Sequence, residues 1–321
     1  MSKTMMNNTI KKNKKHSVIY WDITGRCNAK CKYCHTGISS HPRGNDIDID
    51  IFSDAINVLK TNKLISESVC FHLYVWGEPT LHPRLGDIIK ILQSNGFHYM
   101  LSTNIGHSID FQRSWFDYLD GIIISMCGFS QESYNRIHKL NFNAVKTNII
   151  NLVNVAANAG YDTRKIIISH HIYQFNIEEI PDIYNFTKEL KIEYHPYYAV
   201  FGDIDMTYRF THGYLTPEEW KSISSEIFGN QIHKRVQNNP KNGCRQFDRL
   251  VLDEECNVLT CCCLPRNHAY YKITNLFDTN FYKKLSEWEP DDNCSFCIKN
   301  GLSQYDEKGA GNFNMIKWIL N

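Results

Sequence analysis

Three cysteines near the beginning of the chain have the spacing of a metal-binding loop. Cys27, Cys31 and Cys34 are separated by three and two residues and directly follow a short β-forming run. Three thiolates on one loop can hold three irons of a [4Fe–4S] cluster, which leaves the fourth iron open to a molecule that chelates through an amino and a carboxylate group. A structural zinc site with His35 as fourth ligand is the alternative.

A second group of cysteines lies far along the chain. It contains Cys244, the consecutive Cys261–Cys263, and the pair Cys294 and Cys297. A Cys-x-x-Cys pair with two distant thiols makes a set of four ligands, which suits an iron–sulfur cluster or zinc. A disulfide framework fits poorly, because the chain is large and carries no export signal. Two separated groups of thiols therefore predict two metal centres.

Composition narrows the class of protein. The 321 residues are 42% hydrophobic and 21% charged, as in an ordinary soluble globular protein. The formal net charge of +1 provides no overall positive field for a nucleic-acid partner. No apolar run approaches the roughly 20 residues that a membrane-spanning helix needs. We therefore expect a cytoplasmic protein with neither a membrane nor a nucleic acid as partner.

The first cysteine loop belongs to a region in which β-rich runs alternate with helical patterns. Apolar spacing such as Phe52, Ala55, Ile56 and Leu59 indicates the helices. Six strands that alternate with helices predict an α/β fold with a parallel sheet, whose functional residues lie at the carboxyl ends of the strands. The predicted strands are Val18–Ile23, Val69–Val75, Phe97–Ser102, Ile122–Ser125, Lys165–Ser169 and Ile192–Tyr198.

Motifs at successive predicted strand ends give the cysteine loop a family context. Trp76-Gly77-Glu78-Pro79 follows the second strand, Ser102-Thr103-Asn104 ends the third, and Ser125-Met126-Cys127-Gly128 ends the fourth. With the cysteine loop, this pattern resembles the radical S-adenosylmethionine (SAM) superfamily. The resemblance implies a partial six-stranded parallel (β/α)6 barrel, a [4Fe–4S] cluster on Cys27, Cys31 and Cys34, and SAM as second cofactor.

The same resemblance implies contacts for SAM. Tyr33 would lie against the adenine, and Gly77, Glu78 and Pro79 would hold the amino group. Ser102, Thr103, Asn104 and Ser125 would serve the ribose and carboxylate. Two positions depart from the pattern that relatives with a C-terminal extension show: Cys127 stands for an Asp, and His138 stands where an Arg is common. We therefore assign no anchor for the SAM carboxylate.

The cysteine-rich end also resembles a part of this superfamily. The stretch from Asp253 to Cys261 is similar to the hairpin of the SPASM/Twitch extension, which carries auxiliary [4Fe–4S] clusters. No cysteine follows Cys297, so one auxiliary cluster is expected. Its implied ligands are Cys244, Cys261, Cys294 and Cys297, with Cys262 as the alternative to Cys261. The expected organisation is a basic tail (1–16), the barrel (17–200), a helical linker region (201–243) and the auxiliary domain (244–321).

The two expected clusters imply a function. One cluster with SAM would generate a 5′-deoxyadenosyl radical, and a fully ligated second cluster would accept an electron, as in the Twitch-type deoxy-scyllo-inosamine dehydrogenase that this layout resembles. We expect two-electron oxidation of a small polar substrate such as a sugar or cyclitol, with a reductase such as flavodoxin or ferredoxin as partner. Neutral imidazole suits the base of such a reaction, and the candidates are His170, His171 and His195.

Two other functions remain open at this level. The first is modification of a peptide or protein by thioether crosslinking, epimerisation or maturation. Only 26 residues precede Cys27, too few for a leader-peptide recognition domain, which favours the small substrate. The second is a non-catalytic iron–sulfur or zinc protein, which would have no use for the motifs at the strand ends.

Overall fold

The computed structural model describes residues 15–38, 43–238, 241 and 243–303. Six strands in the first two thirds of the chain pair in parallel with their neighbours. Most of the predicted tail 1–16 and the end of the chain after Ser303 lie outside the described residues. The parallel strands are β1 (His16–Trp21), β2 (Ile65–His72), β3 (His98–Thr103), β4 (Leu119–Met126), β5 (Ile166–Ile172) and β6 (Glu193–Tyr198).

Helices connect these strands, as parallel pairing requires. Amphipathic spacing fixes their inner faces: the first helix buries Phe52, Ala55, Ile56 and Leu59, as the sequence predicts. The connecting helices are α1 (Ile49–Thr61), α2 (Leu85–Ser94), α3 (Gln131–Arg136), α4 (Phe142–Asn158) and α5 (Ile180–Leu190). The prediction of an α/β fold with an open six-stranded parallel sheet is confirmed.

The segment between the barrel and the second cysteine group is helical. Thr216 starts its middle helix with a capping box, in which its side chain and that of Glu219 each accept a hydrogen bond from the other residue's backbone N–H. The three helices here are α6 (Ile204–Thr211), α7 (Pro217–Ser224) and α8 (Gly229–Asn238).

The cysteine-rich region extends the barrel sheet. Its elements are β7 (Leu250–Leu252), β8 (Asn257–Leu259), β9 (Lys272–Asn275), α9 (Phe281–Glu287) and α10 (Asp292–Lys299). β7 pairs in parallel with β1, so the sheet has nine strands in the order β6-β5-β4-β3-β2-β1-β7-β8-β9. The Trp21 indole N–H donates to the Asp253 carbonyl (3.1 Å) and ties the two regions together. The predicted hairpin is present, with Cys256 at φ 61° in its turn.

The ends of the parallel strands differ from the predicted ones for a physical reason. The predicted second strand runs to Val75, whereas β2 ends at His72. The Val75 amide donates to the Asp22 carboxylate (2.7 Å) and not to a neighbouring strand. Among the described residues, no helix is both long and apolar enough to cross a membrane.

Candidate active site and second cysteine cavity

A cavity of about 510 Å³ opens at the carboxyl ends of the parallel strands, a size that suits a cofactor with a small substrate. Cys27, Cys31 and Cys34 line it. Seven of the eight residues predicted to contact SAM also line it, six from the strand ends and one from the cysteine loop: Gly77, Glu78, Ser102, Thr103, Asn104, Ser125 and Tyr33. Of that predicted set, Pro79 alone does not line this cavity; it is buried at the start of a short 3-10 turn.

Asp22 holds the end of β1 to the segment after β2. Its carboxylate accepts hydrogen bonds from the amides of Val75 (2.7 Å), Trp76 (3.0 Å) and Gly77 (3.0 Å). Burial raises the pKa of Asp22 to about 6, and these three amides oppose that rise. Gly77 has no room for a side chain, because a Cβ would lie 1.7 Å from the Thr24 carbonyl oxygen. The glycine of the strand-end motif is therefore required by close backbone approach.

Glu78 and Asn104 connect the next two strand ends to the cysteine loop. The Glu78 carboxylate accepts from the Asn104 amide (2.7 Å) and the Thr80 hydroxyl (2.6 Å). The Asn104 side-chain amide donates to Asn28 Oδ1 (2.8 Å) and to Cys27 Sγ (3.5 Å). Burial raises the pKa of Glu78. This chain of contacts fixes the loop against the strands on which a cofactor would rest.

The environment of the loop thiols fits an iron–sulfur cluster. Burial raises the pKa of all three thiols, that of Cys27 to about 12. Deprotonating three neighbouring buried thiols is costly unless cationic iron offsets their charge. His35, the alternative zinc ligand, has its Nε2 3.0 Å from the Cys263 carbonyl oxygen; Nε2 is then the protonated nitrogen, and Nδ1 is the one that could bind a metal. Within the part of the chain that the structure describes, no three His, Cys, Asp or Glu side chains are grouped to hold a single metal ion.

Aromatic rings form one wall of the cavity. The Tyr33 ring stacks near Tyr173 (centroids 6.2 Å apart) and meets Phe201 edge-on (5.6 Å). The Tyr33 hydroxyl donates to Glu226 Oε2 (2.5 Å). Gly202 allows the chain to pass over this wall, because a Cβ there would lie 3.0 Å from the Tyr33 carbonyl oxygen. A flat group such as a purine base would find stacking partners here.

The three candidate bases lie in three different environments. His171 lines the cavity, and its Nε2 contacts the Tyr197 hydroxyl. His170 points to the opposite face of β5, where it is fully buried between Tyr194 and Asn176. His195 does not line the cavity; its side chain is 52% exposed, 4.0 Å from Glu193. Burial lowers the pKa of His171 to about 4 and that of His170 to about 3.

The second group of cysteines surrounds a separate, smaller cavity. Cys244, Cys261, Cys294 and Cys297 all line it, and Cys262 does not. Asp291 caps α10 by accepting from the Cys294 amide (2.9 Å), which places the Cys-x-x-Cys pair in the first turns of that helix. Burial raises the pKa of Cys294 and of Cys297 to about 12. These four thiols are the donor set that a fully ligated cluster requires.

A short strip of chain separates the two cavities. Cys261 lines the smaller cavity, whereas Cys263 lines the larger one. The Cys263 amide donates to Cys261 Sγ (3.3 Å), and the Trp76 indole N–H donates to the Cys262 carbonyl. Trp76 thus bridges the barrel and the extension.

Several residues that line the larger cavity lie outside the set predicted for the site, and among them Cys263, His138 and Arg235 carry side chains that could take part in chemistry or binding. His138 is buried with no partner for its Nδ1. The sequence carried a signal for it, since His138 stands where relatives commonly have an Arg. Cys263 and Arg235 carried no such signal, since their approach to the cavity depends on the packing of distant segments.

Comparison with known proteins agrees with this geometry. The family model of the radical SAM superfamily matches residues 21–187, just over half of the chain. Fe-coproporphyrin III synthase of Methanosarcina barkeri is 23% identical over 267 residues, covering 75% of this chain and 64% of that protein. A tungsten-containing aldehyde ferredoxin oxidoreductase cofactor-modifying protein of Pyrococcus furiosus is 33% identical over 86 residues, which covers 27% of this chain and 23% of that protein. The match thus spans less than two thirds of either relative.

Solved structures share the fold at low sequence identity. Streptococcus suis SuiB bound to its precursor peptide SuiA superposes with a TM-score of 0.53 at 14% identity, covering 94% of this chain and 73% of that one. The structure of anSMEcpe with bound AdoMet superposes with a TM-score of 0.56 at 15% identity. The match covers 91% of this chain and 85% of that one. The family match and the cysteine loop at the strand ends lead to one conclusion: the chain belongs to the radical SAM superfamily, whose members use a [4Fe–4S] cluster and S-adenosylmethionine.

Proposed function

We propose that this radical SAM enzyme oxidises an alcohol of a small polar substrate, such as a sugar or cyclitol, by two electrons. The observation that carries the proposal is the difference between the two cavities. The loop of three cysteines, Cys27, Cys31 and Cys34, lines the larger cavity and would leave one iron of a cluster open for SAM, whereas four cysteines from separate segments line the smaller cavity. A cluster with four protein ligands has no open iron for substrate, so electron transfer is the role left to it.

The bound groups and the protein divide the chemistry between them. When bound, the first cluster and SAM supply the 5′-deoxyadenosyl radical that removes a hydrogen atom from carbon, and an auxiliary cluster supplies an acceptor for the remaining electron. The alcohol must also lose its hydroxyl proton. Loss of the hydrogen atom, the hydroxyl proton and the electron converts the alcohol to a carbonyl.

His171 is the base that we propose. It is the one candidate of the three that lines the larger cavity. Burial lowers its pKa to about 4, so the imidazole is neutral near pH 7, and it is a weaker base there than an exposed histidine. The Tyr197 hydroxyl beside Nε2 orients the ring. His170 and His195 have no access to the cavity in this arrangement.

The residues that line the larger cavity support a proposal for the SAM contacts. We propose that Cys27, Cys31 and Cys34 hold the first cluster, that Tyr33 lies against the adenine, and that Glu78 receives the SAM amino group. Ser102, Thr103, Asn104 and Ser125 would serve the ribose and carboxylate, and they lie on the neighbouring strand ends. A reductase such as flavodoxin or ferredoxin would supply the electron that starts each turnover.

The test removes the electron acceptor and keeps the radical generator. A panel of sugars and cyclitols is first screened with reconstituted enzyme for acceleration of 5′-deoxyadenosine formation and for carbonyl product trapped as a hydrazone. The triple variant Cys244→Ala, Cys294→Ala, Cys297→Ala should then still cleave SAM and still move a substrate hydrogen into 5′-deoxyadenosine. It should make no carbonyl product, because the electron has no acceptor.

A matched variant separates this effect from loss of structure. Cys70→Ala with Cys262→Ala also removes thiols, but neither residue lines either cavity, so its product yield should match the wild type. Circular dichroism and SAM binding show whether the triple variant is folded. A folded triple variant with full product yield would rule out the auxiliary cluster as acceptor.

A second candidate function is favoured by one observation, the Cys263 thiol in the larger cavity. A thiol can return a hydrogen atom to a carbon radical, which gives a redox-neutral change such as epimerisation of a peptide residue. The resulting thiyl radical would need one electron and one proton, which a reduced auxiliary cluster and solvent can supply. SuiB, whose fold this chain shares, binds a peptide. Deuterium from D2O in the product, lost in Cys263→Ala, would support this function over oxidation.

A further inference from the structure

Arg235 lines the larger cavity, and the resemblance to the radical SAM family assigns it no role. Among the described residues that line the cavity, Glu78 is the acidic side chain and Arg235 the basic one. Glu78 accepts hydrogen bonds from Asn104 and Thr80 and thereby joins two strand ends. Arg235 comes from α8, outside the strand ends that carry the SAM contacts.

The position of Arg235 is set by the packing of its helix. Ile232 and Val236 lie one turn apart on α8 and are both buried. At the start of the helix, a Cβ on Gly229 would lie 2.7 Å from the Phe210 ring, so the helix packs closely there. With its axis and rotation fixed in this way, α8 directs Arg235 to the cavity, which His171 and Tyr197 also line.

The surroundings make this cation effective for an anionic ligand. Aromatic and aliphatic side chains, among them Trp76, Val200 and Phe201, line the same cavity. An apolar wall lowers the local dielectric and strengthens a charge-assisted hydrogen bond. The guanidinium has five N–H donors in a planar fork, so it can bind a carboxylate or phosphate in addition to the contacts it makes within the protein.

We propose that Arg235 binds an oxyanion of the substrate, so that the enzyme acts on acidic sugars or cyclitols, with a carboxylate or a phosphate, in preference to neutral ones. The inference rests on the proposed function for the location of the substrate in the larger cavity. It does not depend on oxidation, since a redox-neutral reaction would need the same anchor.

The first experiment probes the site without turnover. Holoenzyme with SAM is treated with phenylglyoxal, and modification of Arg235 is followed by peptide mass spectrometry with inorganic phosphate or acetate present. We expect one of the two anions at millimolar concentration to slow modification of Arg235 by tenfold or more. Protection by phosphate indicates a phosphoryl substrate, and protection by acetate a carboxylate. Arg164, which is exposed and paired with Asp162, serves as the control and should be unaffected. Equal modification of Arg235 with and without both anions overturns the proposal.

The second experiment uses variants and matched substrates. Glucose, glucose 6-phosphate and glucuronate are compared by the concentration at which each accelerates SAM cleavage. Loss of a charge-assisted contact of about 1.5–3 kcal/mol corresponds to roughly ten- to hundredfold in affinity. Arg235→Gln should weaken binding of the anionic sugars and of the protecting anion by that factor, and Arg235→Lys should restore part of it.

SAM affinity distinguishes the substrate from the cofactor. Arg235→Gln should bind SAM as the wild type does. A ten- to hundredfold loss of SAM affinity would instead assign Arg235 to the cofactor carboxylate and overturn the inference. If the folded triple cysteine variant still made full product, the proposed electron transfer to the auxiliary cluster would be ruled out. Binding of an anion by Arg235 would not be affected, so the two proposals can fail separately.

Discussion

The two cysteine sets differ in how the chain assembles them. The first set lies on one loop after β1, within the span from Cys27 to Cys34, and hydrogen bonds from Asn104 and around Asp22 hold that loop to the strand ends. The second set comes from three segments. Cys244 precedes β7, Cys261 lies two residues after β8, and Cys294 and Cys297 lie in the first turns of α10. The first set is thus local in sequence, whereas the second exists only when three segments pack together.

This difference predicts unequal consequences when the two sets are damaged. Loss of the first set removes a cofactor from a barrel whose sheet and buried helices remain. Loss of the second set removes a crosslink from a region built of short strands and short helices, most of whose buried apolar side chains belong to the same core as those of the barrel. The smaller region should therefore depend on its metal for stability more than the barrel does.

The largest expected effect comes from the first set. Anaerobically reconstituted wild-type protein should bind roughly eight irons in two cubanes. Replacement of Cys27, Cys31 and Cys34 by Ala should remove about half of the iron and all detectable SAM cleavage, because the open iron is lost. Iron, sulfide and 5′-deoxyadenosine assays measure this. The circular dichroism spectrum should stay near that of the wild type; zinc without labile sulfide in the wild type would contradict both cluster assignments.

Adjacent cysteines provide the sharpest test of the second set. Cys261→Ala should lower the iron content toward a single cubane, because Cys261 lines the smaller cavity. Cys262→Ala changes the neighbouring buried residue, whose side chain does not line that cavity, and should retain both clusters. Electron paramagnetic resonance of the reduced proteins counts the clusters. Iron loss in the Cys262 variant alone would reverse the assignment.

Glu78 tests the strand-end contacts with a smaller effect. Glu78→Gln keeps an oxygen near the Asn104 amide but removes the charge, and should weaken SAM binding roughly ten- to hundredfold with unchanged iron content. Glu78→Ala also leaves the buried amide of Asn104 without its acceptor, which should cost a further ~1–3 kcal/mol of stability. Equilibrium binding and thermal unfolding separate the two effects. Equal SAM affinity in the wild type and both variants would move the cofactor amino group elsewhere.

The smallest effect is expected at the contact between the two regions. Trp76→Phe keeps an aromatic ring but removes the indole N–H that donates to the Cys262 carbonyl. Loss of this hydrogen bond should cost ~0.5–1.5 kcal/mol of stability, felt mainly by the extension. The auxiliary cluster should be lost to a chelator faster than in the wild type, and the first cluster at the same rate. Trp115→Phe, on a turn away from this contact, is the control variant.

The sequence predicted the barrel well because its signals are local. Repeated apolar spacing marks the helices, and β-branched runs mark the strands, so a parallel sheet follows from their alternation. Strand ends were less predictable: the β-forming character of Val75 does not show that Asp22 will take its amide. In the same way, the order of strands could not show that β7 pairs with β1 and joins the extension to the barrel sheet.

By itself, the sequence determined the first cysteine loop and the strand-end motifs, and with them the family. Their function depends on residues a few positions apart, which covalent connectivity holds together in any fold that forms the strands. Tertiary structure decided which of Cys261, Cys262 and Cys263 faces each cavity, which histidine lines the larger one, and that Arg235 approaches it from α8. Those outcomes depend on the direction of side chains and on the packing of distant segments, which residue types and spacing along the chain do not specify.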